Sequence, residues 1–160
     1  MFKTRNDLAE KTRTQVCEIL NARLLDTLHL GIHAKDAHWN VKGPDFIQLH
    51  ELFDKIAGQA YADADELAER IAALGGKVHA SAHLIATASK LSAYPEKAVS
   101  GQEHVTALSN SLAVVAKEMR QSIKAAAELG DDDTADLFTG LSRELDKNLW
   151  FVESHLNAEN

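Results

Sequence analysis

The chain has 160 residues, a formal net charge of −7, one cysteine (Cys17) and only two prolines, Pro44 and Pro95. A single cysteine excludes an internal disulfide framework. The acidic balance argues against the cation-driven affinity that non-specific nucleic-acid binding needs, and it suits metal cations better. No apolar run approaches the roughly 18 residues of a membrane span, and the N-terminal MFKTRNDLAEK lacks the apolar core of a signal peptide. The expectation is one cytoplasmic domain covering residues 1–160, with no internal repeat or low-complexity tract.

Both prolines fall where apolar periodicity breaks, and the long Ala/Leu/Glu/Lys-rich stretches between them predict an all-α fold. The first helix is expected from about Asp7 to Trp39, with Leu20, Leu24, Leu28 and Gly31 on one stripe. Asp45 is expected to open the second, because Asp-Phe-Ile-Gln resembles a capping box, and Gly75-Gly76 to close it after Leu74. The connector KVHASAHLIATASKLSAYPEKAVSG follows, with a short helix in HLIATASKL. A third long helix carries Val105, Leu108, Leu112, Val115, Met119 and Ile123 and ends at Leu129-Gly130. The fourth starts in DDDTAD, where acids favour a helix N-terminus, and runs through Leu137, Leu141, Leu145 and Leu149 towards Leu156. Two hairpins joined by a long crossover make a ferritin-like four-helix bundle.

On the second helix, at about 100° per residue, Leu49, Leu52, Phe53, Ile56, Ala60, Leu67, Ile71 and Leu74 share one arc. His50, Asp54, Asp65 and Glu69 share another and face away from the core. Di-iron bundles usually hold E-x-x-H motifs inside the core, and no Glu in this chain is followed three residues later by His. An in-bundle site is therefore unsupported. His50/Asp54 and Asp65/Glu69 are each spaced i,i+4, so each pair could share a cation. Asp54 and Asp65, however, lie roughly 16 Å apart along the axis. One helix cannot wrap both pairs around one metal.

A second copy can. Two chains crossing antiparallel about a point midway between residues 59 and 60 set Asp54 against Asp65 and His50 against Glu69, with Ala57, Gly58 and Ala60 as small residues at the crossing. His38, just before the Gly43-Pro44 turn, should come near His50. Two imidazoles and three carboxylates suit Fe(II), and also Mn or Zn; with no sulfur and mostly oxygen donors, iron oxidation is the natural chemistry. On pattern alone the intersubunit site and a solvated polar face are equally good readings.

The segments KDAHWNVKGPDFIQLHELFD, DADELAERIAALGG, DDDTADL and LDKNLWFVES resemble the Dps proteins, the bacterial mini-ferritins, over nearly the whole chain. The resemblance implies a hollow dodecamer that oxidises Fe(II), with hydrogen peroxide as the preferred oxidant over oxygen, stores the ferric mineral and protects the starved or oxidatively stressed cell. It implies that His38, His50 and Asp54 come from one subunit and Asp65 and Glu69 from its two-fold mate. Trp39 is then an electron donor beside the centre or a packing aromatic, and Lys35 a partner of a ligand carboxylate. Asp131, Asp132, Asp133 and Asp136 correspond to the border of a three-fold pore, with Asp131, Asp132 and Asp136 as the candidate iron inlet.

Many Dps proteins bind DNA through Lys-rich tails, whereas this chain offers Lys3 and Arg5 before the first helix and ends in HLNAEN. Direct DNA binding, with nucleoid association and compaction, is accordingly the alternative reading rather than the leading one. His29, His33 and Asp36 form a second cluster on the first helix, read as a solvated face before a metal site. The same reading applies to His79 and His83, and Cys17 reads as buried packing.

Overall fold

The computed structural model describes residues 1–156; of the HLNAEN end, residues 157–160 lie outside the described part. Helices α1 (Glu10–Asn40), α2 (Phe46–Ala73), α3 (Ala82–Ala88), α4 (Gly101–Glu128) and α5 (Asp132–Glu153) follow in chain order. Among the described residues there is no named strand; the one bridge joins Lys42 in the α1–α2 turn to Ser100 ahead of α4. No helix among them is long and apolar enough to cross a membrane. The all-α four-helix bundle with a short helix in its crossover, expected from the periodicity, is the observed fold.

α1 packs along α2 and α4 along α5, while α1 also meets α3 and α4, and α2 meets α5. The cross-helix contacts give the directions. His33 meets Ser111 and Arg23 meets Ser122, so α1 and α4 are antiparallel; Arg70 meets Asp131 and Lys55 lies over Phe151, so α2 and α5 are antiparallel too. The crossover therefore travels back along the bundle before α4 starts. At its centre the core interleaves Leu20, Leu24, Phe53, Ile56, Leu67, Leu108, Leu112, Met119 and Phe138, all essentially inaccessible.

Helix ends follow local chemistry. Gly75 and Gly130 take positive φ, and each ends its helix with a paired carbonyl wrap: Gly76 N–H to Ile71 O (2.8 Å), and Asp131 N–H to Ala126 O (3.1 Å). Both stops stand where the sequence placed them. α1 begins at Glu10 rather than Asp7, because the Thr4 and Asn6 side chains accept from the amides of Asn6 and Leu8 and turn the preceding chain away from helix.

The expected box at Asp45 is not made. α2 does start at Phe46, but the Asp45 side chain caps nothing, because its backbone (φ −97°, ψ 22°) is not the extended form from which an N-cap side chain reaches the second or third amide of a helix. The capping box stands instead on α4. Ser100 accepts from Glu103 N–H at 3.3 Å, and Glu103 accepts from Ser100 N–H at 2.9 Å. These hydrogen bonds, from the Ser100 and Val99 backbone and the Ser100 hydroxyl, hold the Glu103 carboxyl down to about 2.

α1 and α2 approach closely where α1 carries Gly31. A Cβ there would stand 2.9 Å from the Tyr61 ring, so a glycine admits the tyrosine between the helices. Removal of the α4 cap by Ser100→Ala is expected to lower the unfolding free energy by about 1 kcal/mol, read as a lower urea midpoint with an unchanged denaturant slope.

Candidate metal centre

The α1–α2 turn brings His38, in the last turn of α1, over His50, in the first turns of α2. Their rings stack with centroids 3.7 Å apart and planes inclined by 20°. Each ring bonds the other residue's backbone: His38 Nδ1 to His50 O at 2.7 Å, and His50 Nδ1 to His38 O at 2.8 Å. A carbonyl oxygen only accepts, so both Nδ1 atoms carry the proton. In the neutral rings both Nε2 atoms are then lone-pair nitrogens, the form in which imidazole binds a metal. The expectation that the hairpin joins His38 to His50 is met, and the structure adds the tautomers.

Asp54 stands one turn beyond His50, exposed, and accepts from the Lys35 ammonium of α1. That hydrogen bond lowers the Asp54 carboxyl below its ordinary range, so it is an anion near neutrality and available to a cation that displaces Lys35. Trp39 is 68% exposed beside His38, a large aromatic surface left mostly open by the described residues. Phe46 lies with its ring centroid 5.0 Å from that of His50, tilted by 32°.

Asp65 and Glu69 are exposed further along α2, with no hydrogen-bond or ion-pair partner among the described residues. The structure does not bring them to His50 and Asp54 within one chain. Among the described residues no three His, Cys, Asp or Glu side chains of a single chain gather as a metal site. One expectation about this face needs correction. Ala57 and Ala60 were placed at a helix crossing, yet both are packed into the subunit's own core; the small residues left on the outer face between Asp54 and Asp65 are Gly58 and Ala62. Gly58 has nothing within 4 Å of where a Cβ would stand.

The acidic run divides in two. Asp131 is 2% exposed and bound from several sides: it accepts from Arg70 Nη2 (2.7 Å), from Thr134 N–H (3.0 Å) and from the Thr134 hydroxyl (2.7 Å), while Arg70 Nε donates to that same hydroxyl (2.9 Å). It is the N-cap of α5 and half of a buried ion pair, which corrects its assignment as a carboxylate lining an inlet. Asp132, Asp133 and Asp136 remain exposed.

The reading of His29, His33 and Asp36 as a solvated face is also corrected for His33. It is 3% exposed, sits in the α1–α4 seam with Nδ1 at 3.0 Å from Ser111 Oγ, and burial pushes it down to about 4. His79 and His83 are exposed in the crossover, and Cys17 is buried against Ile71 and Gly76, where burial raises its thiol. Sequence reasoning passed over Asp63, a carboxyl 3% exposed on α2 whose bond is to Gln59 (2.7 Å) and which burial raises to about 6. At about 100° per residue it falls inside the apolar arc, between Leu52 and Ile56, so the helical period that placed those residues inward places Asp63 inward too.

The family profile described as ferritin-like domain matches residues 17–160, which makes this a ferritin-like protein by class as well as by fold. The DNA protection during starvation protein of Agrobacterium fabrum is 41% identical over 157 residues, covering 98% of this chain and 97% of that protein. That of Mycolicibacterium smegmatis is 33% identical over 151 residues, covering 94% and 82%. The solved structure of Mycobacterium smegmatis Dps superposes with a TM-score of 0.93 at 32% identity, covering all of this chain and 91% of that one. DpsA14 from Streptomyces coelicolor gives 0.92 at 32% identity, with coverage of 98% and 92%. The chain belongs to the Dps proteins of the ferritin-like domain family.

Replacing Arg70 by Met strands the buried Asp131 carboxylate without its cation. The expected loss is about 3 kcal/mol, measured by chemical denaturation, with Asp131→Asn in the same chain restoring part of it.

Proposed function

We propose that the protein is a ferroxidase and iron store. The carrying observation is the stacked pair His38 and His50, each Nδ1 spent on a backbone carbonyl and each Nε2 left as a lone pair, one turn from an ionised Asp54 on the face of α2 turned away from the core. Those three residues make half of a centre for ferrous iron. Asp65 and Glu69 of a two-fold mate complete it, opposite them across Gly58, and two identical sites arise per pair of chains.

Iron is the substrate here. Mixed imidazole and carboxylate donors without sulfur suit Fe(II) and stabilise Fe(III) once an electron has left. Hydrogen peroxide is the preferred oxidant: two ferrous ions give it one electron each and, with two protons, it leaves as two waters. Lys35 keeps Asp54 paired until a cation displaces it. Trp39, exposed beside His38, can give an electron to a stray oxidising equivalent before it escapes. Asp132 and Asp136 at the start of α5 draw Fe(II) towards the interior of a dodecameric shell, where ferric mineral accumulates. Removing ferrous iron and peroxide together protects the cell.

The test is anaerobic loading with Fe(II), then separate exposure to peroxide and to oxygen, following ferric absorbance and the iron that co-elutes with protein. Rapid oxidation with co-eluting iron, faster with peroxide, is the expected result. Asp65→Ala is expected to reduce oxidation to the rate of iron in buffer while helical content, read by circular dichroism, stays unchanged. Normal kinetics in that variant would sink the proposed centre.

The names of the curated relatives favour a second reading, protection by direct DNA binding. A net charge of −7 per chain opposes it, since phosphates repel an acidic surface. In a gel shift at low salt the intact protein is expected to leave duplex DNA unretarded; a salt-sensitive shift would favour the DNA-binding reading.

A further inference from the structure

His33 lies where a charge is hard to accommodate. Its Nδ1 meets Ser111 Oγ at 3.0 Å, and Ser111 spends its own hydrogen on Ala107 O at 3.1 Å, so the histidine must donate. Its Nε2 is thus a lone pair with no hydrogen-bond partner among the described residues. The ring touches His29 (centroids 4.4 Å) and Tyr94 (5.0 Å), and it lines a cavity of about 230 Å³ shared with Leu91, Tyr94, Pro95 and Asn110.

Three elements enclose this place, and their titratable groups are few. α1 contributes His29, Asp26 and Asp36. α4 contributes His104, fully buried, with Glu103 beside it. The crossover contributes Tyr94, whose hydroxyl meets His104 Nδ1 at 3.0 Å, and Lys90, whose backbone N–H is held by Asp26 at 2.7 Å. The nearest carboxylates act elsewhere: Asp26 on His29, and Asp36 on Tyr94 and His104. A proton on His33 would meet a hydroxyl, the His29 imidazole and a tyrosine ring, with no facing anion. The tyrosine's cation–π attraction is weak beside the lost hydration.

The walls differ in how firmly they are held. α1 and α4 belong to the bundle and share its core. The crossover is held by fewer anchors: α3 has no buried residue, and the segment after it reaches the interior through Leu91, Ala98 and Tyr94, with the Lys90–Asp26 bond and the Tyr94–His104 pair beside them.

We propose that crossover residues 89–98 form an acid-releasable clasp, closed at neutral pH by Tyr94 against His33 and His104, and opened when His33 takes up a proton. The sign follows from linkage. The closed state depresses the histidine to about 4, an open state restores about 6.5, and so closure is favoured above 6.5 and lost as the pH falls towards 4. Between pH 7 and 5 these two values raise the opening equilibrium about twentyfold.

Hydrogen exchange read by mass spectrometry on the full protein, at pH 7 and pH 5 with times rescaled for intrinsic exchange, tests this. Peptides covering 89–98 should lose protection about twentyfold while the interiors of α2 and α4 keep theirs, and His33→Gln should remove the difference. If that variant does not assemble, His33→Phe keeps an uncharged ring between His29 and Tyr94 and serves in its place. Equal protection at both pH values, loss of protection in all helices together, or an undiminished acid response in the variant each overturns the clasp.

Discussion

Two histidines holding each other's backbone are the contact on which the candidate metal face depends. His38 and His50 come from helices that run in opposite directions, and each ring can reach the other's carbonyl only if the α1–α2 turn is tight and the helices lie close. Gly43, at φ +124°, supplies the turn. Gly31 supplies the closeness by admitting the Tyr61 ring. Lys42 N–H, bonded to Val99 O at 2.9 Å, fastens the turn to the end of the crossover. With those in place the two protons are fixed on Nδ1, and the chemistry of the outer nitrogens follows without any group in the core.

α2 consequently does two jobs on two opposed faces. Its apolar arc closes the bundle, and its polar arc keeps carboxylates in water, where ionisation is cheap and Asp54 needs only one lysine. The arrangement contrasts with Asp131, an acid taken out of water and held there by an arginine, a threonine hydroxyl and the first amides of a helix. Asp131, which serves structure, is enclosed and bonded from several sides. The carboxylates on the candidate centre are open and have bonding capacity left.

Much of this was legible from residue order. Apolar spacing located the four long helices, Gly75-Gly76 and Gly130 located two of their ends, and the His/Asp and Asp/Glu spacing on α2 separated a polar arc from an apolar one. The failures share a cause. Asp45 carried the right letters for a cap, yet the Gly43-Pro44 turn leaves its backbone out of the extended form a cap needs; Ser100 is extended, and with Glu103 it made the box ahead of α4. Ala57 and Ala60 are small residues anywhere, and only the packed helix shows that they are spent inside the subunit while Gly58 and Ala62 are not. His33 read as surface because helical spacing on α1 does not say that a crossover will fold over that arc. Caps, turns and covers depend on neighbours distant in sequence, and period alone does not report them.

The distance between the two halves of the polar arc on α2 has a genetic consequence under the proposed pairing. A chain that has lost His50 still presents sound carboxylates, and a chain that has lost Asp65 still presents sound imidazoles. Paired about the two-fold axis, the two defective chains place both lesions in one site and leave the other whole. Two inactive alleles expressed together would therefore complement, each repairing in its partner what the partner cannot make alone.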